Sequence, residues 1–251
     1  MAEIQIAIIN ASTAVSDDEV RAAAAALQIQ VRRDFAPVWG IDADLTVVPR
    51  GGTPAARAWW LVILDTSDSA GALGYHDLTP EGLPLGKVFA QSALKLGYHW
   101  TITASHELLE MLADPDIVLT AFVEATRSTG ILYAYEVCDA CEADEFGYDI
   151  QGTLVSDFVH PAWFESFRKP GSAQFDHASR IRQPFGLLPG GYIGVYDVKA
   201  GGGWRQITAE PGADPYRARS RAGSRPERRR TPRVEWMRSR GDAGLAVPRA
   251  A

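Results

Sequence analysis

The first third of the chain alternates apolar strands with one alanine-rich helix. Ile4, Ile6 and Ile8 alternate with smaller or polar neighbours, which is the pattern of a strand with two unlike faces. The run Ser-Asp-Asp-Glu at 16–19 offers an N-cap residue with a glutamate three positions later. This run predicts the start of a helix that continues through the alanines to about Val38.

Short apolar runs then predict more strands before a second helix. Residues 45–48 form the second predicted strand, and residues 59–64 form a third that is apolar on both faces and therefore central. The segment 71–84 is rich in glycine and proline and is predicted as a loop. Residues 86–90 predict a short edge strand, and residues 101–113 predict a second long helix.

The second helix carries polar groups in an otherwise apolar sequence, Ser-His-Glu-Leu-Leu-Glu-Met-Leu-Ala-Asp-Pro at 105–115. His106 and Glu110 are four residues apart, so a helix places them about 40° apart on one face and one turn along. An imidazole and a carboxylate in this arrangement can bind one metal ion. Glu107 lies beside them.

This spacing is close to the zincin helix motif HExxH, in which two histidines bind zinc and the glutamate is the general base. Here Glu110 replaces the second histidine. A carboxylate-rich site withdraws less electron density from the water that it activates, so hydrolysis is expected to be slower than at a histidine-rich site. Oxygen ligands also suit Mn or Ca, although Zn is the expected metal.

Two more segments follow the helix motif, namely Tyr-Glu-Val-Cys-Asp at 135–139 and Val-Ser-Asp-Phe-Val-His-Pro-Ala-Trp-Phe at 155–164. Together with 105–115, they resemble a group of uncharacterised bacterial and phage zincin-like metallopeptidases with an HExxE motif. The first segment also resembles the SHExxExxT/ADP motif of EXORDIUM-like plant proteins and related secreted actinobacterial proteins. The resemblance covers about 60 residues. It implies a metal-dependent, peptidase-like fold in which a downstream Glu-x-x-Asp element accompanies the helix.

A third metal ligand is expected, because catalytic zinc generally has three protein ligands and one position for water. Glu136 is the predicted third ligand, since it follows the helix by about 20 residues and lies in the element that the resemblance pairs with the helix. Asp139 is then expected to orient the His106 ring or a neighbouring ligand. Asp116 lies ten residues after His106 and competes as a ligand. Asp114 is a further candidate to orient a metal ligand, but it is expected mainly to cap the helix end.

Weaker candidates lie outside this motif. His160 precedes a proline in an aromatic segment, so it is a candidate ligand or transition-state donor, or else a packed core residue. Tyr135 is a candidate to stabilise an oxyanion, in the manner of zincins, or simply packs. His76 and His99 have no motif partner in the sequence.

Charge divides the chain into an acidic body and a basic tail. Residues 211–251 contain 11 arginines and four acids, so the net charge of −6 leaves −13 for residues 1–210. The tail has few apolar residues and is expected to be disordered. Nucleic-acid contact through this tail is the less favoured interpretation, and a solvated extension is the more favoured one. Cys138 and Cys141 are too few for a disulfide framework.

The expected compartment is the cytoplasm. No apolar run in the sequence is long enough to span a bilayer, so membrane association is not expected. The first nine residues lack the basic leader and the small-residue cleavage site of a secretory signal and predict a strand instead.

The predicted fold is α+β and zincin-like. A twisted mixed sheet and two main helices form an N-terminal lobe (1–115), and a loop-rich C-terminal lobe (116–210) supplies Glu136. We expect a zinc-dependent peptidase acting on a peptide or protein, with His106, Glu110 and Glu136 as ligands and Glu107 as the general base. The alternative is a catalytically inactive module that keeps this scaffold and a metal site for binding or structure.

Overall fold

The computed structural model describes residues 4–68, 72–126 and 128–209 of the 251-residue chain. The predicted tail, 211–251, lies outside the described residues. The elements in chain order are β1 (Ile4–Asn10), α1 (Asp17–Ile29), a π-helical stretch (Gln30–Phe35), α2 (Ala36–Trp39), β2 (Ala43–Val48), β3 (Trp59–Leu64), β4 (Gly74–Leu78), β5 (Pro84–Phe89), α3 (Ala90–Lys95), α4 (Trp100–Ala113), β6 (Thr120–Thr126), β7 (Thr129–Ala134), β8 (Tyr148–Ile150), β9 (Thr153–Val155), β10 (Tyr192–Asp197) and β11 (Arg205–Thr208).

Five strands form a mixed sheet in the order β2–β1–β3–β5–β4. The first four of these strands are parallel, and β4 runs antiparallel to β5 at the edge. The mixed α+β character of the chain and the central position of β3 are therefore confirmed.

Two predictions about this sheet are wrong. The segment 71–84, predicted as a loop, contains β4, which pairs with β5 from Gly74 opposite Val88 to Leu78 opposite Pro84. Residues 86–90, predicted as an edge strand, belong mostly to β5, which lies between β3 and β4. Turn-forming residues flank β4 on both sides, so the sequence pattern favours a loop. The strand forms by pairing with β5, and the composition of β4 does not indicate that pairing.

The helix predicted from residue 16 to about Val38 is confirmed as a composite of three elements. Ser16 and Glu19 form a reciprocal capping box, in which the Glu19 N–H donates to Ser16 Oγ at 3.2 Å and the Ser16 N–H donates to Glu19 Oε2 at 2.7 Å. The π-helical stretch and α2 continue the helical path to Trp39. Gly40 ends it in the left-handed region with φ 70°.

The two long helices, α1 and α4, pack against one face of the mixed sheet in a large apolar core. Alternate residues of the strands, such as Ile6 and Ile8, point into this core, whereas Ala7 and Ile9 point into a smaller cluster on the other face. Side chains from the second half of the chain complete the larger core. The proposed lobes 1–115 and 116–210 therefore share apolar packing around α4.

The second half contains more sheet than the predicted loop-rich lobe. Four strands form an antiparallel sheet in the order β11–β10–β7–β6, and β8 pairs with β9 as a hairpin. The loop between β7 and β8 contains a 3₁₀ turn at Asp139–Cys141. Within the described residues, no helix combines the length and apolarity needed to cross a bilayer.

Candidate metal centre

Helix α4 is buried on all sides, with every residue from 102 to 113 excluded from solvent. Strand β4 approaches it so closely that only glycine fits at position 74. A Cβ at Gly74 would lie 2.6 Å from Thr103 Cγ2 and 2.7 Å from Glu107 Oε1. Gly74 therefore allows β4 to pack directly above the motif helix.

The first part of the site surrounds His106. Its Nε2 atom lies 3.1 Å from Glu110 Oε1, one turn along α4, and 3.2 Å from Asp139 Oδ1 in the 3₁₀ turn. The Cys138 N–H donates to the same Glu110 oxygen at 3.2 Å. The helix motif and the downstream Glu-x-x-Asp element, which are distant in sequence, are thus brought together.

The second part of the site surrounds His76, which extends from β4. Its Nδ1 atom lies 3.5 Å from Glu107 Oε2 and 3.6 Å from Glu110 Oε2, and its Nε2 atom lies 3.6 Å from Glu136 Oε2. Glu110 therefore contacts both imidazoles, with a different oxygen facing each.

All six side chains of this centre are buried, none being more than 8% exposed: His76, Glu107, Glu110, His106, Glu136 and Asp139. Burial, followed by the neighbouring carboxylates of Asp139 and Glu136, raises the pKa of Glu110 to about 7, although His106 opposes the rise. Like charges in a low-dielectric interior repel strongly, so the protonated form of this carboxyl group is favoured over the charged form.

Glu136 and Asp139 lie in the cluster, but beside different imidazoles. Asp139, predicted to orient the His106 ring, contacts that ring directly. Glu136, predicted as the third ligand, contacts His76. Three combinations bring potential ligand atoms within 4.8 Å of one another: His106, Glu110 and Cys138; His76, Glu110 and Glu136; and His106, Asp139 and Glu142.

Asp114 and Asp116 take up positions outside these combinations. The buried Asp114 carboxylate accepts hydrogen bonds from the Val118 N–H at 2.9 Å and the Leu119 N–H at 3.0 Å. It therefore closes the turn after α4. Asp116 is exposed.

His160 and Tyr135 lie among aromatic rings. The ring of His160 lies 5.8 Å from that of Phe158, and burial lowers the pKa of His160 to about 4. Tyr135 stacks on Phe164 with the ring centres 4.3 Å apart. Burial is the main cause of the raised pKa of Tyr135. These contacts correspond to the packing alternative that the sequence left open for each residue.

Both cysteines are free and fully buried. Burial raises the pKa of each thiol well above its ordinary value. Cys138 lies near enough to His106 and Glu110 to count among the potential ligands. A thiol in this environment is held in its neutral form unless a cation displaces the proton.

His76 is the site residue that sequence reasoning missed. The segment around it was predicted as a loop, so nothing placed its side chain over the motif helix. Two signals could have found it. Gly74 and His76 share one face of an alternating run, and glycines inside strands often mark a close backbone approach.

Comparison with known proteins gives no relative for this arrangement. No family model matches the chain, and neither a curated protein nor a solved structure is detectably similar to it. Functional inference therefore starts from the site itself.

Proposed function

We propose that the chain is a divalent-metal-dependent hydrolase of the zincin type, acting on peptide bonds. One observation carries the proposal: a single buried imidazole nitrogen, His106 Nε2, lies within 3.2 Å of carboxylate oxygens from both Glu110 and Asp139. Glu107, the general base of the motif, lies on the same buried helix.

The donor set fits a metal ion. Zinc bonds of about 2.0–2.2 Å in a tetrahedral arrangement place neighbouring ligand atoms about 3.3–3.5 Å apart. The two contacts of His106 Nε2 are close to that separation. Nitrogen with carboxylate oxygen suits Zn first, and the high share of oxygen also admits Mn or Ca. We assign His106 and Glu110 as ligands at this imidazole, with Cys138 close to both and Asp139 beside the same nitrogen, and Glu136 to the same centre through His76.

A divalent ion in this site would supply a Lewis acid that activates water and polarises the substrate carbonyl. The residues of the chain supply the rest of the mechanism. Glu107 accepts a proton from the attacking water and returns it to the leaving amine. Its Oε2 atom lies 3.5 Å from His76 Nδ1, so the two side chains are neighbours in the centre.

The edge position of β4 corresponds to that of the peptide-aligning strand of zincins, although all five residues of β4 are buried. In zincins, the edge strand above the motif helix aligns an extended peptide through main-chain hydrogen bonds. Here β4 is the antiparallel strand at the edge of the sheet, and it carries His76 directly above α4.

A peptide-library digest tests the proposal. Zinc-loaded protein is incubated with a proteome-derived peptide library, with and without EDTA, and products are identified by mass spectrometry. Glu107→Gln is expected to slow cleavage by about 10²–10⁴-fold while keeping the metal. The matched control is Glu124→Gln, the same substitution at an exposed glutamate on β6, which is expected to cleave like the parent. Cleavage by Glu107→Gln at the parent rate would show that the base is misassigned.

A structural metal site is the second candidate, and the closed environment of the centre favours it. His76, His106, Glu107 and Glu110 are each at most 3% exposed. Structural zinc sites are enclosed by protein, whereas catalytic sites keep a position for water. Bound zinc that raises the melting temperature, combined with library cleavage no greater than in the EDTA sample, would favour this function over hydrolysis.

A further inference from the structure

The centre contains more ligand atoms than one ion can use. Besides the contacts of His106, the second imidazole has its own set of three carboxylates. His76 lies 3.5–3.6 Å from oxygens of Glu107, Glu110 and Glu136. The ligand atoms of His76, Glu110 and Glu136 all lie within 4.8 Å of one another.

Glu110 connects the two sets. Its Oε1 atom lies 3.1 Å from His106 Nε2, and its Oε2 atom lies 3.6 Å from His76 Nδ1. A carboxylate whose two oxygens face two different imidazoles can bridge a pair of cations. In two-metal hydrolytic sites the ions lie about 3.5–4 Å apart, which is a separation that one carboxylate can span.

Charge also favours a second cation. Glu107, Glu110, Glu136 and Asp139 carry −4 when all four are ionised, and neutral imidazoles add nothing. One divalent ion leaves −2 in a buried cluster, whereas two divalent ions reduce the sum to zero. Uncompensated charge in a protein interior is costly, so the doubly occupied site is electrostatically the better matched one.

The nearby cation Lys87 is directed to the other face of the sheet. It lies on β5 opposite Tyr75, and its Nζ atom contacts Asp68 at 2.7 Å and lies over the Tyr75 ring. Gly86, which precedes Lys87 on β5, lies opposite His76, on the face of the sheet that carries the cluster.

We propose that His76, Glu136 and the Oε2 atom of Glu110 form a second divalent-cation site, adjacent to the ion at His106 and Glu110 Oε1. Zn or Mn fits its mixture of nitrogen and oxygen ligands. The proposal rests on the proposed function, because Glu110 belongs to both sites. It changes the expected chemistry, since two ions can clamp both the attacking and the leaving atoms of a hydrolysis.

Metal counting tests the second site directly. Tag-free full-length protein is loaded with zinc, dialysed and measured by elemental analysis, with folding checked by circular dichroism. The expected zinc content is about two ions per chain for the parent and about one for His76→Ala. The matched control, His99→Ala, removes an exposed histidine and is expected to retain two.

The possible results separate this inference from the proposed function. One ion in the parent, kept in His76→Ala and lost in His106→Ala, would overturn the second site and leave the proposed function standing. One ion that His76→Ala removes would also overturn the two-site proposal. No bound ion in the parent would contradict both.

A spectroscopic measurement on the parent covers the case in which His76→Ala does not fold. Mn²⁺ is titrated into the apoprotein and followed by electron paramagnetic resonance. Two adjacent ions are expected to give a broadened, exchange-coupled spectrum as the second equivalent binds. An isolated six-line signal that saturates at one equivalent would contradict the second site.

Discussion

Two carboxylates, one after strand β3 and one on helix α4, behave in opposite ways. Asp65, directly after β3, accepts hydrogen bonds from Ser12 Oγ at 2.5 Å, Thr13 Oγ1 at 2.6 Å, and the Thr13 and Ala14 N–H groups at 2.7 and 3.0 Å. Burial alone would raise its pKa, but these donors lower the pKa to about 2. Burial raises the pKa of Glu110 to about 7, and its carboxylate neighbours add to the rise.

The difference separates a structural carboxylate from one that we propose to be functional. The protein itself stabilises the charge of Asp65, so that residue completes a turn. Glu110 shares its interior with three other acids, and an added cation would stabilise its charge. Strongly perturbed groups of this second kind are concentrated at functional sites.

Removal of Glu110 is expected to have the largest effect on metal binding. Glu110→Gln removes the charge that faces both imidazoles and replaces one of the two carboxylate oxygens by an NH2 group, so zinc affinity should fall by more than about 100-fold, beyond the effect typical of groups around the ligands. Competition with a chromophoric chelator measures this affinity. If folded Glu110→Gln protein binds zinc as tightly as the parent, Glu110 does not differ from Asp65 in the proposed way.

The pH dependence of apoprotein stability is the second test. Because the folded pKa of Glu110 lies above its ordinary value of 4.5, its contribution to stability is complete below about pH 4.5 and is lost as the pH rises through about 7. The melting temperature of the parent in EDTA should fall by several degrees relative to Glu110→Gln over this window. Calorimetry from pH 4 to 8 measures the difference.

The variant is needed as a reference in that experiment, because burial also raises the pKa of Asp157, to about 8. The loss of stability from Asp157 is common to parent and variant and cancels in the difference. Equal pH profiles for the two proteins would show that Glu110 is not perturbed as described.

Substitution of Asp65 should produce the reverse pattern. Asp65→Asn removes a charge that several donors stabilise, so the free energy of unfolding should fall by about 1–3 kcal/mol, with zinc affinity unchanged. The stabilisation that Asp65 gives the parent is present above pH 3.8 and is lost as the pH falls towards 2. Urea unfolding measures the loss of free energy of unfolding and its dependence on pH. Loss of zinc binding in Asp65→Asn would remove the distinction between the two carboxylates.

The smallest effect is expected at Ser105, which neighbours His106 but belongs to a satisfied network. Its hydroxyl donates to Gln30 Oε1 at 2.7 Å and accepts from the Ser156 N–H at 3.0 Å. Ser105→Ala should lower the free energy of unfolding by about 1 kcal/mol and change zinc affinity by less than about tenfold. A loss of zinc affinity greater than about tenfold in Ser105→Ala would show that this network positions His106.

Local patterns predicted the elements whose signals are local. The capping box at Ser16, the apolar run of β3 and the helix from residue 101 each depend on neighbouring residues, and all three are present. β4 was missed because its signal is its pairing with β5. Gly74, which suggests a turn in the sequence, serves close packing against α4 instead.

The site was predictable only as far as the helix motif and the downstream acids reach. Glu136 and Asp139 belong to the downstream Glu-x-x-Asp element that the resemblance pairs with the helix, so their approach to α4 was predictable. Which imidazole each acid faces depends on the approach of β4 to α4, which no short motif encodes. His76 is absent from the prediction for this reason.

Anomalous X-ray diffraction at the zinc edge, from crystals of zinc-loaded protein, tests the central claim most directly. We expect an anomalous peak about 2.0–2.2 Å from both His106 Nε2 and Glu110 Oε1. Bound zinc with no peak within about 4 Å of either atom would contradict the assignment of this centre.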